Sequence, residues 1–571
     1  MLKSQQPLRL LQRGTKPPHL NRTQYRSLHT DQSHRTISTT ASTDQDTYAA
    51  TPAVTPTLPT ISQPSRPLSV LPLPILLRSY ALTALSSYPL LLSPSLRLLS
   101  FVAHSSSALL NPDRNPLLHY LLKKTFYAQF CAGETKIEVQ KTVKGLKSMG
   151  YNGVILAYGK EIVLNKGEKV DTSSSQSADP TAERDVQDWK EGTLKTVQMA
   201  EEGDMIGLKF SGAGRDAMRQ LAAEASPSEA IEKATTEICD LAQARGVRLL
   251  FDAEQDAVQR GIDAWTLEFA RRYNRMALGK AVVYGTYQAY LRSTPKILAQ
   301  HLAVAKQEGF TLGVKLVRGA YMSSDPRTLF WSTKEETDKA YNGVTEALLK
   351  KRWNNVLRPS TREASERISS EVAFVLASHN HDSVQKAMAI QREQTEKHEA
   401  KIDMAYGQLM GMADEVSCEL VMAAKAAGVV PSEKTECAGP KTYKYLVWGS
   451  VGECLKYLIR RAEENRDAVL SSSSNPRTPD SKLLKAPAIK STYLKVSNHY
   501  KQPRASRASI VGMPFSDLLL KGVKLTARGA GLVAVVAVVN IVPAAAYERS
   551  GWMTQKDLER NIKAQQSRPG T

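Results

Sequence analysis

Residues 313–321 read GVKLVRGAY, an apolar run that ends in Lys315, Arg318 and Tyr321. Seven further runs share this form: VILAY (154–158), MIGLKF (205–210), VRLLFDAE (247–254), VVYGTYQ (282–288), VAFVLASHN (372–380), IDMAYGQL (402–409) and YKYLVWG (443–449). Amphipathic stretches follow them, among them 215–221, 226–244, 258–276, 295–307 and 334–350. Strand and helix in alternation predict parallel strands, and eight repeats predict an α/β fold, a (β/α)8 TIM-like barrel over 150–470. The segment 159–190, with TSSSQSADPTAE, reads as an insertion.

Most runs place their polar residues at the C-terminal end: Lys209, Asp252 with Glu254, Gln288, Lys315 with Arg318 and Tyr321, His379 with Asn380, and Gln408. A barrel gathers those ends on one face, where its catalytic loops lie. A ninth stretch, YLVWGSVGECLKYLIRRAEEN (445–465), adds Tyr457, Arg460 and Arg461. On a helix the ring and both guanidiniums share one face and suit a carboxylate. The same spacing, with Glu464 three and four residues on, also describes a solvated face laced with ion pairs.

The flanks differ in kind. Residues 1–30 hold no acid but carry Lys3, Arg9, Arg13, Lys16, Arg22 and Arg26, the composition of a mitochondrial presequence, and a Ser/Thr/Pro-rich linker continues to 66. Residues 67–149 are leucine-rich and broken by prolines, and read as a helical N-terminal arm of short helices on the domain or on a membrane surface. Residues 471–571 form a basic C-terminal extension in which 529–547 is uncharged and just long enough for a membrane segment, or else a buried or interfacial helix. Residues 1–66 contribute +5 and 481–571 +11 of the net +20, which leaves +4 for the rest. The basic character belongs to the tails and argues against a nucleic-acid partner. Five cysteines without CxxC or Cys/His spacing point to buried thiols in a reducing compartment, with no metal.

Eight motifs in order, FYAQFCAGET (126–135), LKFSG (208–212), LLFDAEQD (249–256), GTYQAYL (285–291), KLVRGAY (315–321), ASHN (377–380), YGQLMGM (406–412) and YLIRRAEEN (457–465), resemble the proline dehydrogenase (proline oxidase) family in its eukaryotic mitochondrial form. The resemblance spans roughly 120–470 and implies a flavin-dependent barrel that oxidises L-proline to 1-pyrroline-5-carboxylate and passes electrons to ubiquinone. It implies FAD as cofactor, the matrix side of the mitochondrial inner membrane as location, and that membrane's surface as a partner.

Residue by residue, the resemblance implies that Arg460, Arg461 and Lys209 hold the substrate carboxylate, and that Asp252 pairs with Lys209 and Tyr445. It makes Lys209, Asp252 and Tyr445 the catalytic group. Tyr321, Tyr445, Tyr457 and Leu409 wall the ring. Lys315 and Arg318 lie along the flavin, with their residue types exchanged relative to the family's RLVKGAY-type motif. Lys334, His379 and Glu464 match further FAD contacts, and Gln288 stands close to another. Two other readings compete. One is a related flavin barrel acting on hydroxyproline, where the bulk of Tyr445 would matter. The other is a decayed, membrane-associated barrel, against which the retained Lys209, Asp252, Tyr457, Arg460 and Arg461 argue.

Overall fold

Eight strands, each parallel to the next, close into one barrel. They are β1 Gly153–Tyr158, β2 Met205–Leu208, β3 Arg248–Phe251, β4 Val283–Gln288, β5 Leu312–Val317, β6 Val372–Ala377, β7 Asp403–Leu409 and β8 Thr442–Trp448. Each falls within or one residue beyond a run read from the sequence. The barrel shuts where β8 returns to β1, with Ile155 opposite Tyr445. The computed structural model describes residues 67–461 apart from 87–100, 103–106, 108, 163–169, 171–180, 279, 323, 361–365, 428–438 and 456. The chain divides into two units, Met1–Pro64 and Ser65–Thr571, and every described residue lies in the second. The presequence, the C-terminal extension with 529–547, Cys437 and Glu464 fall outside the described residues.

Period-two alternation sorts the strand side chains. On β5, Leu312, Val314 and Leu316 pack outward in one core with Tyr341, Val344 and Leu348 of the helix Lys334–Leu349. Lys315 and Val317 are left to face the barrel interior. On β1, Val154 and Leu156 join the outer core, while Ile155 and Ala157 join Tyr443, Tyr445 and Val447 inside. Full burial of each large apolar side chain contributes about 1.5–3 kcal/mol. Outside β2 and β3, Phe210 meets Phe251 and Trp265 edge-on, both at 5.1 Å between ring centres.

Two glycines are fixed by close approach. A Cβ on Gly207 would lie 2.6 Å from the Tyr445 hydroxyl, so its absence admits that ring to the interior. Gly319 has φ +143°, and its Cβ would strike the Tyr290 ring at 1.8 Å, so the chain after β5 can fold back only with glycine there.

The stretch 159–190 is not simply an insertion. The helix Ala182–Met199 begins within it and covers the barrel wall, because its Trp189 donates to the Lys209 carbonyl (2.9 Å) and its Thr196 accepts from Trp448 Nε1 (2.9 Å). The serines and acids that precede it hide this, since its apolar face starts only at Val186.

The N-terminal arm contains the helices Leu73–Ser86, Pro116–Leu122 and Lys136–Met149, with a π-helical turn at Lys123–Tyr127. It packs beside the end of β8: Tyr127 donates to the Gly449 carbonyl (2.7 Å), and the Ala132 amide to Val447 (2.7 Å). Among the described residues no helix is long and apolar enough to cross a membrane. Cys131, Cys239, Cys418 and Cys454 are buried free thiols.

Candidate active site

A cavity of about 320 Å³ opens at the C-terminal ends of the strands. Lys209, Asp252, Gln288, Lys315, Arg318 and Tyr321 line one part of it, and His379, Leu409, Tyr445, Tyr457, Arg460 and Arg461 line the rest. These come from loci 209–461, which only barrel closure brings together. Tyr445 lies within β8, and Tyr457, Arg460 and Arg461 lie on the helical residues 457–461 further along the chain.

Asp252 follows β3 and is 6% exposed. One carboxylate oxygen accepts from Lys315 Nζ (2.5 Å) and the other from the Tyr445 hydroxyl (2.6 Å). Lys315 Nζ also stands 5.0 Å from the centre of the Tyr445 ring. Burial, reinforced by the Asp252 charge, pushes the Tyr445 hydroxyl well above its ordinary pKa, so it remains a donor. The expected pairing of Asp252 with Lys209 is therefore corrected. Lys315 points inward from the middle of β5 and reaches Asp252 first, whereas Lys209 leaves β2 toward the rim.

Lys209 instead meets Glu161, whose carboxylate lies 2.5 Å from its Nζ and whose other oxygen accepts from Arg460. The Glu161 side chain is only 4% exposed. Burial opposes its charge, but Arg460 and then Lys209 outweigh burial and hold its carboxyl down at about 2. Sequence reading missed Glu161 because it sits just past β1 in a stretch without periodicity; its one signal was the polar residue after the strand, the rule that found Asp252. Arg460 lies 5.8 Å over the Tyr321 ring and Arg461 5.1 Å over that of Tyr457, so both guanidiniums rest on aromatic walls.

Arg318 is tied to Asp338 and to Ser383 Oγ (2.8 Å), and lies over the Tyr341 ring. Lys334 shares Asp338 (2.7 Å) but is 69% exposed and stands outside the cavity. Its place at the start of a helix, where the side chain turns to solvent, accounts for this. The Gln288 amide is spent on the fold, donating to the Glu254 carbonyl (3.2 Å) and accepting from Ala320 N–H (3.3 Å). His379 Nε2 accepts the Leu409 amide (3.1 Å). Burial, then Lys444 and Arg461, lower its pKa to about 3, so the ring is neutral with its proton on Nδ1. Glu254 lies outside the cavity lining and accepts from the Ser211 amide (3.0 Å); burial raises its carboxyl to about 7. Asn380 caps the helix His381–Glu396 through Ser383 N–H (2.9 Å).

On the cavity lining, the buried Thr286 Oγ1 and Arg318 Nε have no hydrogen-bond partner among the described residues. An unmet buried hydroxyl or guanidinium nitrogen costs about 1–3 kcal/mol, so both fit a polar ligand lying along β4 and β5.

A family profile described as "Proline dehydrogenase" matches residues 139–474. The chain is 29% identical over 399 residues to "Probable proline dehydrogenase, mitochondrial" of Schizosaccharomyces pombe, covering 62% of this chain and 77% of that protein. It is 28% identical over 383 residues to "Hydroxyproline dehydrogenase" of Bos taurus, covering 61% and 78%. Its fold is similar to that of proline utilization A (PutA) from Bdellovibrio bacteriovorus inactivated by N-propargylglycine, with TM-score 0.50 at 17% identity. That match covers 72% of this chain but 40% of the other.

Proposed function

The chain belongs to the proline dehydrogenase family, and from that premise we propose that it oxidises L-proline to 1-pyrroline-5-carboxylate with bound FAD and passes the electrons to ubiquinone. The proposal extends to a mitochondrial enzyme working at the matrix side of the inner membrane, in line with the basic, acid-free first 30 residues.

One observation carries the reading. Two cations of the cavity lining, Lys209 and Arg460, already hold a carboxylate, that of Glu161, and Arg461 and three tyrosines share that lining. A substrate carboxylate would make the same pairings and would exchange one buried anion for another. Lys209 and Arg460 would thus keep a counter-charge with substrate bound, which limits the desolvation cost of that pair. Tyr321, Tyr445 and Tyr457 then present apolar faces to a five-membered ring and leave little room for a bulkier one. Leu409 closes the same wall.

FAD fits the remaining residues. Arg318 and Thr286 offer unmet polar atoms, and Lys315 brings positive charge. The His379 Nδ1 proton is a further donor, and Lys334 on the same Asp338 as Arg318 extends the basic rim outward. When bound, the flavin supplies the hydride acceptor that no side chain provides. The protein's share is orientation: Arg460, Arg461 and Lys209 fix one end of the ring, while Asp252 holds Lys315 and Tyr445 in place below it.

The test is reduction of a quinone analogue by FAD-loaded protein, with L-proline set against trans-4-hydroxy-L-proline. L-proline should be turned over with the higher kcat/KM. A clear preference for hydroxyproline, the substrate class named for the bovine relative, would replace this reading, and no turnover of either would end it.

A further inference from the structure

Tyr457, Arg460 and Arg461 lie on the helical residues 457–461, within ten residues of the helical residues 451–455, so the placement of 451–455 bears on the clamp. Ser450 and Glu453 form reciprocal bonds there: the Ser450 amide donates to Glu453 Oε2 (2.8 Å) and the Glu453 amide to Ser450 Oγ (3.2 Å). The two amides between them are met from outside. Val451 N–H donates to Glu134 Oε1 (3.0 Å) and Gly452 N–H to Asp113 Oδ1 (3.0 Å), while Ser450 Oγ donates to Asp113 Oδ2 (3.2 Å). Both acids belong to the N-terminal arm, 317 and 339 residues away in sequence from the amides they accept. Glu134 is the acid of the FYAQFCAGET motif, and Lys123 Nζ (2.5 Å) and His119 Nε2 (3.1 Å) hold its other oxygen.

A helix start exposes unpaired N–H groups and partial positive charge, so two foreign carboxylates there supply both acceptors and counter-charge. The contact is built for closeness, since a Cβ on Gly452 would lie 2.1 Å from Asp113 Oδ2. Asp113, His119 and Glu134 bring ligand atoms within 4.8 Å of one another. Each of the four carboxylate oxygens nevertheless already accepts from the chain, the pattern of a cap and not of a cation site.

We infer that Asp113 and Glu134 are positioning residues for substrate recognition: they dock the start of the clamp helix on the N-terminal arm and thereby set where Arg460 and Arg461 stand. The inference rests on the clamp reading given above.

Asp113→Ala and Glu134→Ala, beside the conservative Asp113→Asn and Glu134→Gln, test it in the full FAD-loaded chain. Three quantities are measured: amide hydrogen exchange over 449–455, calorimetric Kd for L-lactate as a carboxylate probe, and KM against kcat for L-proline. The alanine variants should exchange about tenfold faster and bind lactate about fivefold more weakly, with KM raised and kcat within about twofold; Asn and Gln, which keep an acceptor, should recover most of this. Added to Arg460→Met/Arg461→Met, Glu134→Ala should cost no further lactate affinity. Unchanged exchange, or faster exchange with an unaltered lactate Kd, overturns the inference. The exposed Asp113→Ala carries the test if Glu134→Ala does not fold. A parent chain that neither binds L-lactate nor oxidises L-proline would overturn the clamp reading and this inference with it, whereas the exchange data judge the cap by itself.

Discussion

Glu161 and Arg460, 299 residues apart, form an ion pair in which the carboxylate is buried and the guanidinium lines the cavity, and the second oxygen of Glu161 holds Lys209. The carboxyl is held at about 2 against an ordinary 4.5, so its charge stabilises the fold fully above pH ~4.5, and this contribution is lost as pH falls toward ~2. Parent and Glu161→Gln should thus differ in urea midpoint at pH 6 and converge on acidification. By linkage the difference is on the order of 3 kcal/mol. A gap that stays constant from pH 6 to pH 3 would contradict the ion pair as its source.

Arg460→Met or Arg461→Met should raise KM for L-proline by roughly ten- to hundredfold, the worth of one charge-assisted hydrogen bond or two, with flavin content little changed. Steady-state kinetics beside the flavin-to-protein absorbance ratio measure this. An unchanged KM removes that arginine from the clamp.

Asp252 takes its cation from β5. Lys315→Met should leave a buried carboxylate without its counter-ion and cost about 3–5 kcal/mol, whereas Tyr445→Phe, which deletes one neutral donor, should cost about 1–3 kcal/mol. A double-mutant cycle should give a larger coupling for Lys315 with Asp252 than for Lys209 with Asp252, and the reverse order would restore the pairing expected from sequence.

Thr286→Val keeps shape and removes an unmet buried hydroxyl. Protein stripped of flavin should hold or gain stability, up to about 1 kcal/mol, while the FAD-loaded form should retain cofactor less well. Thermal melts of both forms decide this; equal cofactor retention would separate Thr286 from the flavin.

His379 is held near pKa 3, below its usual 6.5, because it is buried beside Lys444 and Arg461. The unfolded chain therefore binds a proton that the folded chain does not, and stability present above pH ~6.5 declines as pH falls toward ~3. His379→Gln should flatten this slope in urea titrations between pH 7 and pH 5, and a slope equal to the parent's would show that other groups carry it.

All eight strands were legible in the sequence, because a buried parallel strand is a short β-branched run and its polar exit is visible as Asp252, Gln288 or His379. The cavity's population was legible for the same reason. Its pairings were not. Lys209 and Lys315 are both lysines near strand ends in the sequence and both line the cavity, and only their place along the closed barrel, within β5 or just past β2, gives Asp252 to one and Glu161 to the other. Lys334 was matched to an FAD contact by likeness, and the structure puts its side chain in solvent at the start of its helix.

The sequence by itself determined the barrel, the roster of charged and aromatic groups at its mouth, and the family, since these depend on local period and on short motifs. Tertiary structure alone decided that Glu161 pairs with Arg460 and Lys209 and that Glu134 and Asp113 accept from the Val451 and Gly452 amides. Ion pairs and foreign caps join groups some 300 residues apart. Coulomb attraction acts through the few ångströms that folding leaves between them, and no spacing along the chain records that distance.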